Sequence, residues 1–275
     1  MRTFSVDLWD GVDGAPADDV EPRARLDAYI LDGAKRRGAV LVIPGGGYAR
    51  VAPREAEPVA LRFAATGRHA FVLRYSVAPR RHPRPILDAA RAMRLMRDNA
   101  AAWSVAPERI AACGFSAGAH LASCLAALAG EVSGAIGIGS ADIRPNALIL
   151  AYPVASSGEF AHRGSFDSLL GPEAGPELRG SLSMERRVDS SWPPVFLWHT
   201  ADDASVPLEN SLLLAAALRK ARVPLELHVY PRGAHGLSLA TPEVEEIGKP
   251  ADPRVAGWAG LCVEWLEAEL PEKGI

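Results

Sequence analysis

An excess of charge of either sign, paired cysteines and long apolar runs are all missing from this chain. Its 275 residues include 30 Lys and Arg against 33 Asp and Glu, a formal net charge of −3. That balance leaves no electrostatic basis for gripping nucleic acid or an anionic membrane surface. Three cysteines (Cys113, Cys124, Cys262) stand too far apart for a metal motif or a disulfide framework, and an odd number in apolar surroundings reads as buried thiols. The first residues, Met1-Arg2-Thr3-Phe4-Ser5-Val6-Asp7, turn acidic where a signal peptide needs an apolar stretch, and no segment has the roughly 20 apolar residues that span a bilayer. These absences lead to the expectation of a cytoplasmic protein with neither nucleic acid nor membrane as partner. They are silent on oligomeric state.

What is present is a rhythm. Short, mostly apolar runs at 26–31, 39–43, 70–75, 109–113, 147–151, 195–198 and 225–230 alternate with helical patterns at 54–66, 86–100, 117–129, 207–221 and 254–270. Such alternation predicts an α/β protein, a mostly parallel sheet with helices on both faces, in a single domain over 1–275. Residues 1–25 read as loop, rich in Gly, Pro and Asp. The rhythm also breaks over 153–194, rich in Ser, Gly, Pro and charge, which is expected to be a poor core and a short cap insertion over the strand ends. Ligands of such sheets bind beyond the C-terminal strand ends, so informative residues should follow strands.

Gly114-Phe115-Ser116-Ala117-Gly118 does so. It lies between the apolar run ending at Cys113 and the small-residue helix pattern beginning at Ala117, the strand–turn–helix context that a G-x-S-x-G nucleophile elbow requires. A serine hydroxyl attacks only when a base takes its proton, so Ser116 needs a histidine oriented by a carboxylate. In the chain order Ser, acid, His, the acid falls after the strand 195–198, where Asp202 and Asp203 both stand, and the base is His228 or His235. His228 sits within a strand, whereas His235 lies in the loop beyond it, between Gly233 and Gly236, and is the better placed of the two. Acyl transfer also needs N–H donors for the oxyanion. Ala117, which follows the nucleophile, supplies one, and Gly46 and Gly47 of Pro44-Gly45-Gly46-Gly47 are candidates for the rest. No P-loop or dinucleotide fingerprint accompanies those glycines.

Together these stretches, with Leu73-Arg74-Tyr75, His82-Pro83 and Asp88, Gly114 to Ala122, His199 to Pro207 and Gly233 to Gly236, resemble α/β-hydrolase esterases of the acetyl esterase and acetylxylan esterase type, including bifunctional feruloyl and acetylxylan esterases. The resemblance covers nearly the whole chain. It implies an α/β-hydrolase fold, a serine carboxylesterase without cofactor or metal, and a small-molecule or oligosaccharide ester as substrate. The family pattern puts the acid two residues before Val-Pro, which selects Asp203. Pro44 stands where the hormone-sensitive-lipase-like branch has histidine, which points to the carbohydrate-esterase-like branch. A sugar alcohol in turn calls for aromatic faces near the strand ends, and Tyr48, Tyr152 and Trp192 are the candidates for substrate binding. Peptidases of the prolyl-oligopeptidase kind share the triad order but usually carry a propeller domain, for which 275 residues leave no space. A non-catalytic binding role would be expected to cost a triad member.

Overall fold

The computed structural model describes residues 1–12 and 23–272. Among the described residues one sheet contains β1 (Arg2–Asp7), β2 (Arg25–Ile30), β3 (Arg37–Ile43), β4 (His69–Arg74), β5 (Val105–Phe115), β6 (Ala147–Ala151), β7 (Val195–Thr200) and β8 (Leu225–Tyr230). Their spatial order is β1-β2-β4-β3-β5-β6-β7-β8. β1 and β2 run antiparallel to their neighbours, and every pairing from β4 to β8 is parallel.

A parallel sheet must be covered on both faces, which is why its central strands are apolar throughout rather than alternating. Along β3, Leu41 and Ile43 enter one core with the helices Arg84–Asp98 and Ala117–Ala127. Val40 and Val42 enter the other, with the helices Glu57–Ala64 and Trp258–Glu269. Both layers are needed to bury one strand.

The structure departs from the sequence expectations in several places, among them the helix expected over 54–66, which divides into Pro53–Glu55 and Glu57–Ala64. The first residues are not all loop: β1 pairs with β2, and Phe4 packs on Trp103 with ring centroids 5.5 Å apart. Residues 13–22 of that expected loop lie outside the described residues. The helix expected over 117–129 ends at Ala127 and is followed by Ala129–Ile136, bent from it by 79°. The helix expected over 254–270 divides at Gly257 into Pro253–Ala256 and Trp258–Glu269. Finally, the segment 153–194 is more than a surface cover. Phe166, Leu169, Leu182, Met184 and Trp192 all join the first core, and Asn210 Oδ1 accepts the backbone N–H groups of Ala155 and Ser156, both at 3.0 Å. Among the described residues no single helix is long and apolar enough to cross a membrane.

At the turn from β5 into the following helix the backbone leaves no space for side chains. A Cβ at Gly118 would lie 2.1 Å from the Ile43 carbonyl oxygen and 2.4 Å from that of Pro44, and one at Gly114 would lie 2.4 Å from the Gly118 oxygen. Ser116, between them, takes φ 53° and ψ −119°, a strained conformation for a side-chain-bearing residue. The turn is thus pressed against the end of β3.

Gly118→Ala should therefore force backbone apart and cost about 3 kcal/mol or more. Gly134→Ala, inside the helix Ala129–Ile136 with open space around it, should gain about 0.5–1 kcal/mol from helix propensity. Thermal unfolding of both variants is the check, with the first expected to melt several degrees below the wild-type chain and the second at or above it.

Candidate active site

Three strand ends converge on Ser116. The residue itself follows β5, Asp203 follows β7 and His235 follows β8. Ser116 Oγ lies 2.8 Å from His235 Nε2, and His235 Nδ1 lies 2.6 Å from Asp203 Oδ2. His228, the other base left open by the sequence, stays in β8, where its Nε2 donates to Glu226 Oε1 at 2.8 Å. Asp202 holds the base-bearing loop from outside, its Oδ1 accepting the Gly233 N–H at 2.6 Å.

Asp203 is buried, and burial alone would raise its pKa. Hydrogen bonds from His199 and His235, the charge on His235 and the Val206 N–H outweigh burial and hold the carboxyl well below the usual carboxylate range. Its Oδ1 accepts the N–H groups of Ser205 and Val206, each at 2.9 Å. Oδ2 is left for His235, with His199 Nε2 at 3.3 Å. Asp203 is thus an ionised acceptor fixed from both sides, able to keep the proton of a neutral His235 on Nδ1 and leave Nε2 free to take one from Ser116.

Gly46 and Gly47 line the same cleft as Ser116 and His235, a cavity of ≈ 360 Å³. Ala117 is the first residue of its helix, where a backbone N–H has no intrahelical acceptor, and the N–H groups of Gly46 and Gly47 have no backbone acceptor among the described residues. Gly45 differs. Its N–H donates to Glu55 Oε2 at 2.7 Å and so points away from any oxyanion. Among the described residues no group of three or more His, Cys, Asp or Glu is placed to hold a metal ion.

The three aromatic candidates for sugar contact are corrected by the structure. Tyr48, Tyr152 and Trp192 are 2%, 1% and 4% exposed, so none offers a ring face to a ligand. Each hides its polar end inside the protein, as buried Tyr and Trp must. Tyr48 OH meets His120 Nδ1 at 2.7 Å, and Trp192 Nε1 donates to the Arg187 carbonyl. Tyr152 OH donates to Glu55 Oε1 at 2.8 Å and accepts the Ser238 N–H at 3.0 Å. Its ring stands edge-on to His235, with centroids 5.1 Å apart, and so braces the imidazole rather than a sugar.

Sequence reading missed two further groups. Glu55 looks like a solvated acid at a helix start, yet it is buried and ties Gly45 to Tyr152. His120 lies four residues after Ser116, the spacing that puts it one turn along the helix, and that was the available signal. Its Nε2 donates to the Leu182 carbonyl at 2.8 Å while Nδ1 accepts the Tyr48 hydroxyl. The glycine loop, the elbow helix and the segment 153–194 are joined through this one ring.

The family model BD-FAE matches residues 26–218, a span that includes Ser116 and Asp203 and stops short of His235. Over 241 residues, 86% of the chain, there is 37% identity to endo-1,4-beta-xylanase B of Butyrivibrio fibrisolvens, of which 36% is covered. Over 225 residues, 80% of the chain, there is 31% identity to an acetylxylan esterase of Xylanibacter ruminicola, of which 45% is covered. The chain thus spans less than half the length of these curated relatives. The crystal structure of an acetyl ester-xyloside bifunctional hydrolase from Caldicellulosiruptor lactoaceticus superposes with a TM-score of 0.88 at 42% identity, covering 99% of this chain and 98% of that one.

Burial pushes His120 down to about 4 from an ordinary histidine value of 6.5. The unfolded chain therefore takes up a proton here that the folded chain refuses, and stability is lost as pH falls from 6.5 to 4, by an amount on the order of 3 kcal/mol at the lower end. Melting temperatures measured across this range should fall less steeply for His120→Gln than for the wild-type chain. Equal slopes would show that His120 does not carry the effect.

Proposed function

The chain belongs to the BD-FAE family, and from that membership we propose that it is a carboxylic ester hydrolase working through Ser116, His235 and Asp203. The observation that carries this reading is the hydrogen-bond chain from Ser116 Oγ through His235 to Asp203, set beside unpaired backbone donors. Ser116 Oγ attacks the ester carbonyl carbon as its proton passes to His235 Nε2. The carbonyl oxygen, now negative, is held by the N–H groups of Ala117, Gly46 and Gly47, where a single donor is worth about 3–4 kcal/mol of barrier. The tetrahedral centre collapses, the alcohol departs with the proton from His235, and an acyl group remains on Ser116. Water then attacks the acyl-enzyme with His235 again as base, which frees the acid and restores the serine. Asp203 stabilises the imidazolium in both halves without taking its proton.

The substrate we propose is a short-chain acyl ester of a carbohydrate, such as an acetylated xylo-oligosaccharide. Support comes from the acetylated-xylan and xyloside activities in the names of the relatives. It comes also from the cleft, which lies near the small end for ligand pockets and has walls of glycines, serines, Arg50, His162 and Lys249 rather than an apolar trench. A larger apolar groove of ≈ 610 Å³, lined by Leu61, Leu239, Ala256 and Ala259, shares no residue with the cleft and offers it no room for a long acyl chain.

Labelling with a fluorophosphonate should place a covalent adduct on Ser116, and its absence from folded protein would favour a binding role over catalysis. Ser116→Ala or His235→Ala should lower kcat about a million-fold, with the double variant scarcely worse, because the residues act as a unit. Asp203→Asn should cost about 10⁴ in kcat through the wrong histidine tautomer, and Asp202→Asn far less. Reversal of the two aspartate results would overturn the assignment of the acid.

Rates on p-nitrophenyl esters should fall steeply from acetyl to butyryl to octanoyl, since each methylene that finds no apolar room forfeits roughly 1–3 kcal/mol of transition-state binding. A preference for octanoyl, or failure to release acetate from acetylated xylose while p-nitrophenyl acetate is cleaved, would reject the carbohydrate substrate and leave a general carboxylesterase.

A further inference from the structure

The catalytic steps leave one polar ring on the cleft wall without a task. His162 precedes the helix Arg163–Leu170 and lines the cavity that holds Ser116 and His235. Its Nδ1 accepts the backbone N–H of Ser165 at 3.2 Å, which caps the first turn, and lies 2.8 Å from Ser165 Oγ. A backbone N–H can only donate, so Nδ1 carries no proton and the proton of the neutral ring is on Nε2. That nitrogen has no partner among the described residues. Burial pushes the ring below the ordinary histidine value, and a charge on His235 pushes it the same way while Asp203 opposes. The surroundings thus favour the neutral ring, and the cap selects its tautomer.

Position tells what such a donor can meet. His235 must hand its proton to the departing oxygen, so the alcohol part of the ester lies against His235. His162 and His235 line the same cleft, and a charge on His235 acts on the His162 ring. Ser165, which fixes the His162 ring, is the nearest neighbour of the space beside Gly47, with Oγ 3.7 Å from where a Cβ would stand. The donor therefore belongs to a wall running from the oxyanion glycines to the base, and it is held by backbone rather than by a flexible stem.

We propose that His162 is a specificity-determining residue for the alcohol part of the substrate, its Nε2–H donating to a hydroxyl oxygen next to the ester and thereby favouring polyhydroxylated alcohols, sugars among them. This rests on the esterase reading of the same cleft. It does not make His162 part of the proton relay, because its one proton stays on Nε2 throughout the cycle.

The test separates the cap from the cleft. His162→Asn keeps an oxygen able to accept the Ser165 N–H, as asparagine is a favoured N-cap residue, but it is too short to present the donor. His162→Ala loses both. For His162→Asn, kcat/KM on acetylated xylose or glycerol monoacetate should fall about tenfold relative to kcat/KM on p-nitrophenyl acetate, the size of one hydrogen bond, with the loss in KM more than in kcat. Its melting temperature should stay close to the wild-type value while that of His162→Ala drops. A ratio unchanged in His162→Asn would overturn the proposal and leave the ring a helix cap. If the wild-type chain cleaves p-nitrophenyl acetate but neither hydroxylated ester, the carbohydrate substrate fails and this inference with it. If it cleaves none of the three, the esterase reading itself has failed.

Discussion

Three of the segments around Ser116 depend on one buried carboxylate finding enough hydrogen bonds. Glu55 sits under the cleft with one oxygen on the Gly45 N–H and the other on the Tyr152 hydroxyl, which in turn accepts the Ser238 N–H. Beside it Arg54 donates to the Leu237 carbonyl, and the Ser238 hydroxyl donates to the Arg54 carbonyl. Through two adjacent residues, the loop after β3, the end of β6 and the loop that carries His235 are tied to a single short segment. A buried charge is costly unless fully paired. The same requirement that makes Glu55 expensive makes the three segments hard to move independently. Burial also pushes Tyr152 well above the ordinary tyrosine value, with the charge on Glu55 adding to it, so the phenol keeps the proton it donates.

Much of this architecture was legible because local chemistry leaves few choices. An apolar run, Gly-x-Ser-x-Gly and a small-residue helix can meet only in a tight elbow, and the contacts at Gly118 and Gly114 give the steric reason. In the loop after β7 the residues alone left Asp202 and Asp203 both open, and only the family pattern selected Asp203, whose Oδ1 accepts the N–H groups of Ser205 and Val206. What could not be read was direction. Tyr48 and Tyr152 do follow strands, but both take positive φ, 58° and 36°, and their side chains turn inward. Residue type alone cannot show that a backbone has left its usual region. β1 was not legible because an edge strand with four of its six residues exposed carries little apolar signal, only the half-buried Phe4 and Val6 on one side. The segment 153–194 read as a poor core because its buried residues are spread singly among polar ones, and no periodicity marks which of them reach inward.

That segment changes how the cleft is bounded. Leu182 holds His120, Ser183 Oγ accepts the Ser157 N–H at 2.9 Å, and Ser165 holds His162. The segment therefore fixes the backbone and the side chains of its surroundings as well as facing the cleft. Its composition looks like that of a mobile cover, and its contacts are those of a wall built into the core.

The serine, acid and base come from three strands far apart in the sequence, and the Ser116–His235 contact joins residues 119 positions apart. Closing a loop of that length is entropically costly and is repaid only once the intervening β6 and β7 have docked. Because β8 lies at the far edge of the sheet from β1, His235 stands beside Ser116 only where the sheet is complete to its last strand. The chain of contacts from Ser116 through His235 to Asp203 is then a property of the complete sheet alone: loss of that edge would leave the elbow in place and remove the histidine beside it.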